Sequence, residues 1–175
     1  DINKATLAGL DAIVVGIRAY NMFDWITEKN DIINEYIQNG GNYIVQYLKS
    51  NQVGINKVKV GPYNFSVNAS KRVTQENVPV EFILPNHAVL NTPNKITSTD
   101  FEHWVQERST YQAENIDPHF EMPLSMHDAN EPASNGSLLI APYGKGNMVY
   151  LSLTLFRQLP AGNPGGLDWF GCWCG

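Results

Sequence analysis

The sequence predicts an α/β domain built on a mostly parallel sheet, and three observations carry that prediction. "LDAIVVGI", Leu10 to Ile17, is a near-continuous apolar, β-branched run, the pattern of a strand covered on both faces by flanking helices. A helical pattern follows, and then a second such run, "NYIVQYL" from Asn42 to Leu48; strand, helix and strand within about forty residues form a right-handed βαβ unit. Near the C-terminus, "GSLLIAPY" and "GNMVYLSL" flank Gly144-Lys145-Gly146, a polar turn with glycine on both sides that predicts a β-hairpin.

Between the first two strands, "ITEKNDIINEYIQNGG" repeats Ile32, Ile33, Tyr36 and Ile37 at helical spacing, and Gly40-Gly41 supplies the stop. From Ser50 to Asn91 the pattern breaks into short alternating pieces, "VKVGPYNFSV" and "VPVEFILP", that fit short strands or extended loops. The tail "FRQLPAGNPGGLDWFGCWCG" carries too much Gly and Pro for a long helix, leaving "GLDWFG" as one possible turn and residues 171–175 as an atypical end.

With 175 residues the chain is read as one domain, 1–175, long enough to bury roughly 70% of the surface of its unfolded form. At 43% hydrophobic and 17% charged residues it is globular, and no apolar run approaches the ~18 residues of a membrane span. A net charge of -5 with dispersed Lys and Arg argues against nucleic acid, which requires clustered basic residues. The N-terminal "DINKATLAGL" lacks the basic and apolar regions of a signal peptide, so the compartment is not legible from these residues. Cys172 and Cys174 are the only cysteines; they exclude a disulfide framework, and no second ligand pair makes them a metal site. No cofactor is expected.

In open α/β sheets ligands bind beyond the carboxyl ends of the strands. After the first strand stand Arg18, Tyr20 and Asn21, a guanidinium, a phenol and an amide that either hold a carboxylate, phosphate or sugar or serve the loop and core. After the second comes "QYLKSN", which lacks the close glycines of a nucleophile elbow, so Ser50 reads as an ordinary loop serine. His87, His103, His119 and His127 are not at the three- to five-residue spacing of paired metal ligands, although folding can still gather His87, His103 and Glu107. In "DFEHWVQERSTY", Trp104, Glu107, Arg108 and Tyr111 fall at helical spacing and would share one face. That face either stacks a sugar on Trp104 or packs Trp104 and Tyr111 on the sheet beside a surface Glu-Arg pair.

"LDAIVVGIRAYN", "YIQNGGNYIVQY", the stretch from "PNHAVLNTPNKIT" to "TDFEHWVQER", and "GSLLIAPYGKGNMVYLSLTLFRQLPAGNPGG" resemble the domain found C-terminal to PIG-L (LmbE-like) N-acetylglucosaminyl deacetylase modules in Bacteroidetes-type proteins. The resemblance spans nearly everything from Leu10 to Gly166. It implies a three-layer, flavodoxin-like, class I glutamine amidotransferase-like fold related to ThuA-like proteins, and a periplasmic or extracellular location. The departures matter as well. The deacetylase's own zinc motif is absent, the amidotransferase cysteine is replaced by the "QYLKSN" turn, and Ala88 follows His87 where the family usually has proline. Only nine residues precede "LDAIVVGI", where one or two strands are expected, so the domain looks truncated and an edge strand would be left open.

The resulting expectation is a non-catalytic accessory domain that binds carbohydrate or contacts a PIG-L-type deacetylase. Its pocket would lie near Arg18, Tyr20, Asn21, His87, Trp104, Glu107, Arg108 and Arg157. Two alternatives stand beside it: a ThuA-like sugar-processing enzyme with His87 or Glu107 as base and Arg108 or Arg157 orienting an anionic group, and a purely structural dimerisation domain. A homodimer or strand exchange through the Leu10 to Ile17 edge or its neighbouring surface is expected in either case.

Overall fold

A computed structural model describes residues 2–49 and 59–174. In chain order the elements are α1 (Lys4–Leu7), β1 (Ala12–Val15), α2 (Ala19–Met22), a 3-10 segment (Asp24–Lys29), α3 (Asn30–Gln38) and β2 (Asn42–Gln46). The two-residue strands β3 (Ser66–Val67), β4 (Glu81–Phe82), β5 (Ala113–Glu114) and β6 (Leu124–Ser125) follow, with 3-10 turns at Ala88–Leu90 and Ser98–Phe101 among them. The chain closes with β7 (Leu138–Tyr143), β8 (Gly146–Leu151), α4 (Leu155–Gln158) and α5 (Pro164–Cys174).

The main sheet has the order β1-β2-β8-β7. β1, β2 and β8 run parallel, with Val14 opposite Ile44 and Ile44 opposite Val149, and β7 returns antiparallel to β8. The fold is therefore mixed α/β with a mostly parallel four-stranded sheet. β3 pairs with β5, and β4 with β6, as two small antiparallel ladders outside it.

Strand alternation sends residues to two cores. Tyr43, Val45, Leu139, Ala141, Met148 and Tyr150 pack with Ile33 and Ile37 of α3 on one face. Ile44, Leu138, Ile140, Val149 and Leu151 pack with Phe101, Trp104 and Trp169 on the other. β2, β7 and β8 are thus covered on both sides, which is why their sequences read as unbroken apolar runs.

The hairpin turn is seated by glycine. Gly144 has φ +63°, and a Cβ on Gly146 would lie 2.1 Å from the Gly41 carbonyl oxygen. That closeness lets the turn dock on the end of α3, where the Lys145 N–H donates to the Gln38 carbonyl at 3.0 Å.

Three expectations are corrected. The Leu10 to Ile17 run is not buried on both faces: β1 is an edge strand, with Leu10, Val14 and Ile17 exposed. The Trp104 to Tyr111 segment is not a helix; the only helical turn nearby is Ser98–Phe101, and His103, Gln106 and Tyr111 all have positive φ. The tail does form a helix, α5. Asn163 caps it by accepting from the Gly165 N–H at 3.0 Å, Pro164 occupies the first turn, and Trp169 is fully buried. Ser50 and Val58, the first residue of "VKVGPYNFSV", lie outside the described residues. Among the described residues no helix is long and apolar enough to cross a membrane.

Candidate functional site

The carboxyl ends of the three parallel strands open onto one surface. β1 delivers Arg18, β2 delivers Tyr47, and β8 leads through Ser152 and Thr154 to Phe156 and Arg157. Arg18 is fixed by its backbone: its N–H donates to the Tyr47 carbonyl at 2.9 Å, and φ 58°, ψ 14° put it in the left-handed region. A non-glycine residue there costs about 1–2 kcal/mol. Its guanidinium carbon sits 5.4 Å from the centre of the Tyr47 ring. The Nε is buried without a hydrogen-bond partner, and no acidic side chain among the described residues pairs with this charge.

Tyr47 is the hub of an aromatic floor. Its ring lies 5.0 Å from Phe156 and 5.7 Å from Tyr111, the latter edge-on. Tyr47 is buried, while Tyr111 and Phe156 are half-buried. Arg72 lies 5.6 Å over Tyr111, and Arg157 lies 5.3 Å over Phe156.

Residues 105–112 cross the end of β8 without forming a helix, and side chains and strand extensions satisfy their backbone. The Thr110 N–H donates to the Ser152 carbonyl, and the Thr154 N–H donates to the Arg108 carbonyl. The Gln158 side chain accepts from the Val105 N–H and donates to the Val105 carbonyl. The Thr154 hydroxyl donates to the Glu107 carbonyl, and Ser109 and Ser152 share a hydroxyl contact of 2.7 Å.

That crossing buries Glu107, whose side chain is 7% exposed, between two arginines. Arg157 Nη1 donates to Oε1 at 2.9 Å, Arg72 contacts both oxygens, and the Thr110 hydroxyl donates to Oε2 at 2.8 Å. Burial alone would push this carboxyl up, but the hydrogen bonds from Arg72, Arg157 and Thr110 outweigh it and hold Glu107 below the usual carboxylate range. Glu107 is a clamped anion with both oxygens occupied.

The other expected site residues lie elsewhere. Tyr20 is buried, with its hydroxyl 2.7 Å from that of Tyr43; burial pushes it up to about 12, and it belongs to the core. Asn21 accepts from the Lys49 N–H at 2.8 Å and so ties the β1 and β2 exits together. His87 accepts from the Val89 N–H at Nδ1, which leaves its proton on Nε2, 2.8 Å from Glu121. Trp104 is 2% exposed and donates to the Asp100 carbonyl, so its face packs in the core and is closed to a sugar. Arg108 is buried too, over Phe101 and Trp104, with Nη1 2.5 Å from the Phe101 carbonyl and its acidity strengthened by burial. Of the eight expected residues, the structure gathers Arg18, Glu107 and Arg157 at one surface. His87 and Glu107 do not meet, each being held by different partners.

Sequence reasoning missed Tyr47, Arg72, Thr110 and Phe156. The rule that selects Arg18 after the first strand also selects Tyr47 after the second. Arg72 has no local signal, because it comes from an irregular stretch. A cavity of about 390 Å³ lies at the opposite, amino ends of β1 and β2, lined by Leu7, Leu10, Asp11, Tyr36 and Gly41. Among the described residues the one ion pair at its rim is the exposed Lys4 and Glu35, which makes no cluster of convergent chemistry. Among the described residues no group of three His, Cys, Asp or Glu side chains can hold a metal ion.

No protein-family model matches the sequence, and no curated protein is significantly similar to it. Two solved structures are similar to this chain at low identity. The beta-galactosidase of Rahnella sp. R3 shares 12% identity over 93% of this chain with a TM-score of 0.49, and the chain spans 22% of its length. The cytoplasmic protein STM3548 from Salmonella typhimurium shares 13% identity over 97% of this chain and 72% of its own, with a TM-score of 0.52. At that identity the likeness to the Salmonella protein is one of fold alone.

Proposed function

We propose that this chain is a carbohydrate-binding domain without a covalent nucleophile, with its site over the carboxyl ends of β1, β2 and β8. The single observation that carries the reading is Arg18: a charged side chain in a left-handed backbone, resting on Tyr47, with no acidic partner among the described residues. Backbone strain held in place by its surroundings concentrates at ligand sites. Tyr111 and Phe156, half-buried against Tyr47, would supply apolar faces for a pyranose beside hydrogen-bond donors. We read the sheet as flavodoxin-like, and the resemblance to domains that accompany PIG-L-type deacetylases supports an accessory role toward amino sugars.

The enzymatic alternative has less behind it. A general base needs a free lone pair and a pKa near working pH, whereas Glu107 is held low with both oxygens taken, and His87 is spent on Val89 and Glu121. Isothermal titration of the chain with amino-sugar and uronic-acid oligosaccharides tests the reading. Binding lost in Arg18→Ala is the expected result, and absence of heat with every saccharide rejects it.

A second reading, self-association, is favoured by a specific observation. Leu10, Val14 and Ile17 along the β1 edge and Met22, Phe23 and Trp25 just beyond it are all exposed, and an open apolar edge is a template for strand pairing. Sedimentation equilibrium of the wild type against Val14→Lys is decisive: a dimer that the lysine dissociates supports it, and a monomer at all concentrations removes it.

A further inference from the structure

Resting on the carbohydrate reading, we infer that the saccharide is acidic and that its carboxylate seats on the Arg18 guanidinium, the sugar ring lying toward Tyr47 and Phe156. Three arginines reach this surface, and the structure separates them by occupation. Arg72 meets Glu107 through Nε and Nη2, and Arg157 gives Nη1 to Glu107 and to the Gln106 carbonyl, so both charges already face a carboxylate from the chain itself. Arg18 has the same fork and no such partner among the described residues. Its Nε is buried against the protein, which leaves the terminal nitrogens as the donors for a ligand.

A planar guanidinium edge with two parallel N–H groups matches a planar carboxylate, and this bidentate pairing is what distinguishes arginine from lysine. The arginine is also ordered in advance: the Tyr47 carbonyl holds its N–H, and its own carbonyl accepts from Asn21 and Met22. The backbone that carries the side chain therefore has little freedom left to lose on binding. Glu107 is neutralised by two guanidinium groups, so it does not repel an incoming anion, and Glu76 at the far side of the crossing accepts from the Gln106 N–H. A neutral sugar would leave Arg18 solvated and gain nothing from it.

The test uses the 175-residue chain, digalacturonate and its uncharged counterpart galactobiose, in titration calorimetry at low and high salt, with Arg18→Gln and Arg18→Lys variants. The acidic disaccharide is expected to bind roughly 10- to 100-fold more tightly than the neutral one, the worth of one charge-assisted pair. Arg18→Gln should erase that ratio, and Arg18→Lys, which keeps the charge and loses the fork, should recover only part of it. Circular dichroism and melting temperature should stay at wild-type values in both variants, which separates lost recognition from lost folding. Equal affinity for the two disaccharides overturns the inference and leaves the carbohydrate site standing. An acidic preference retained in Arg18→Gln overturns the assignment to Arg18. Displacement by inorganic phosphate where acetate has no effect overturns the carboxylate. Failure of all saccharides rejects the underlying reading as well.

Discussion

Two parts of the same surface use arginine in opposite ways. At the end of β8, Arg72 and Arg157 close around Glu107, with Thr110 supplying a further donor. At the end of β1, Arg18 rests on an aromatic ring and meets no carboxylate among the described residues. In the first place charge fixes an irregular chain crossing; in the second the fold sustains a left-handed backbone and an uncompensated charge, and neither contributes to stability. The difference teaches that an arginine's role is read from what it already holds. If that is correct, mutations at the clamp cost stability, and mutations at Arg18 do not.

The largest effect is expected at Glu107. Glu107→Ala removes the shared acceptor and leaves two guanidinium groups and a buried hydroxyl unpaired. Removing one partner of a fully buried pair costs about 3–5 kcal/mol; because Arg72 and Arg157 are partly exposed, about 2–3 kcal/mol is expected here. Urea unfolding measures it, and a loss below about 0.5 kcal/mol would dissolve the contrast between clamp and free arginine.

Acid sharpens the same point. The Glu107 carboxyl is lower in the folded chain than its ordinary value of 4.5, so its contribution is fully present above that value and disappears as pH falls through the lower folded one. Asp128, held low by the Thr74 hydroxyl and the Gln75 and Thr74 N–H groups against its burial, acts in the same direction. Wild type should therefore lose stability progressively below about pH 4.5, and Glu107→Gln should lose less over that range. Parallel pH profiles for the two proteins would show that the clamp is not the acid-sensitive element.

A smaller effect is expected at Thr110. Thr110→Val keeps shape but withdraws the hydroxyl from Glu107 Oε2, at a cost of about 1–2 kcal/mol, since a hydrogen bond to a charged group is worth more than a neutral one. In a Glu107→Gln background the cost should shrink, and a double-mutant cycle with no coupling would separate Thr110 from the clamp.

Much of the frame was legible from residues alone, because apolar runs in β2, β7 and β8 reflect burial on two faces and Gly40 and Gly144 mark turns with positive φ. The site was legible only in part. Trp104, Glu107, Arg108 and Tyr111 sit at helical spacing, yet helical spacing does not make a helix. The left-handed residues His103 and Gln106 break it, and Gln158 and Thr154 take over the backbone groups a helix would have paired. The tail failed in the other direction. Gly165 looks like a helix breaker, but a Cβ there would lie 2.1 Å from the Asp100 carbonyl oxygen, so close packing on the Ser98–Phe101 turn selects glycine against local propensity. Both misses come from long-range contacts that no local pattern encodes.

The smallest effect carries the opposite sign and bears most directly on the comparison. Arg18→Gly removes a side chain that holds no acid and relaxes a backbone at φ 58°. Glycine adopts that region without steric cost, and the gain is offset only in part by the greater freedom of the unfolded chain. The variant should be as stable as wild type or up to about 1 kcal/mol more stable, while affinity for the acidic saccharide falls to that for the neutral one. A matched gain and loss of this kind marks a residue retained for a ligand at the fold's expense. Destabilisation by Arg18→Gly comparable to that of Glu107→Ala would make Arg18 a structural arginine like its two neighbours and leave the surface without a ligand-facing charge.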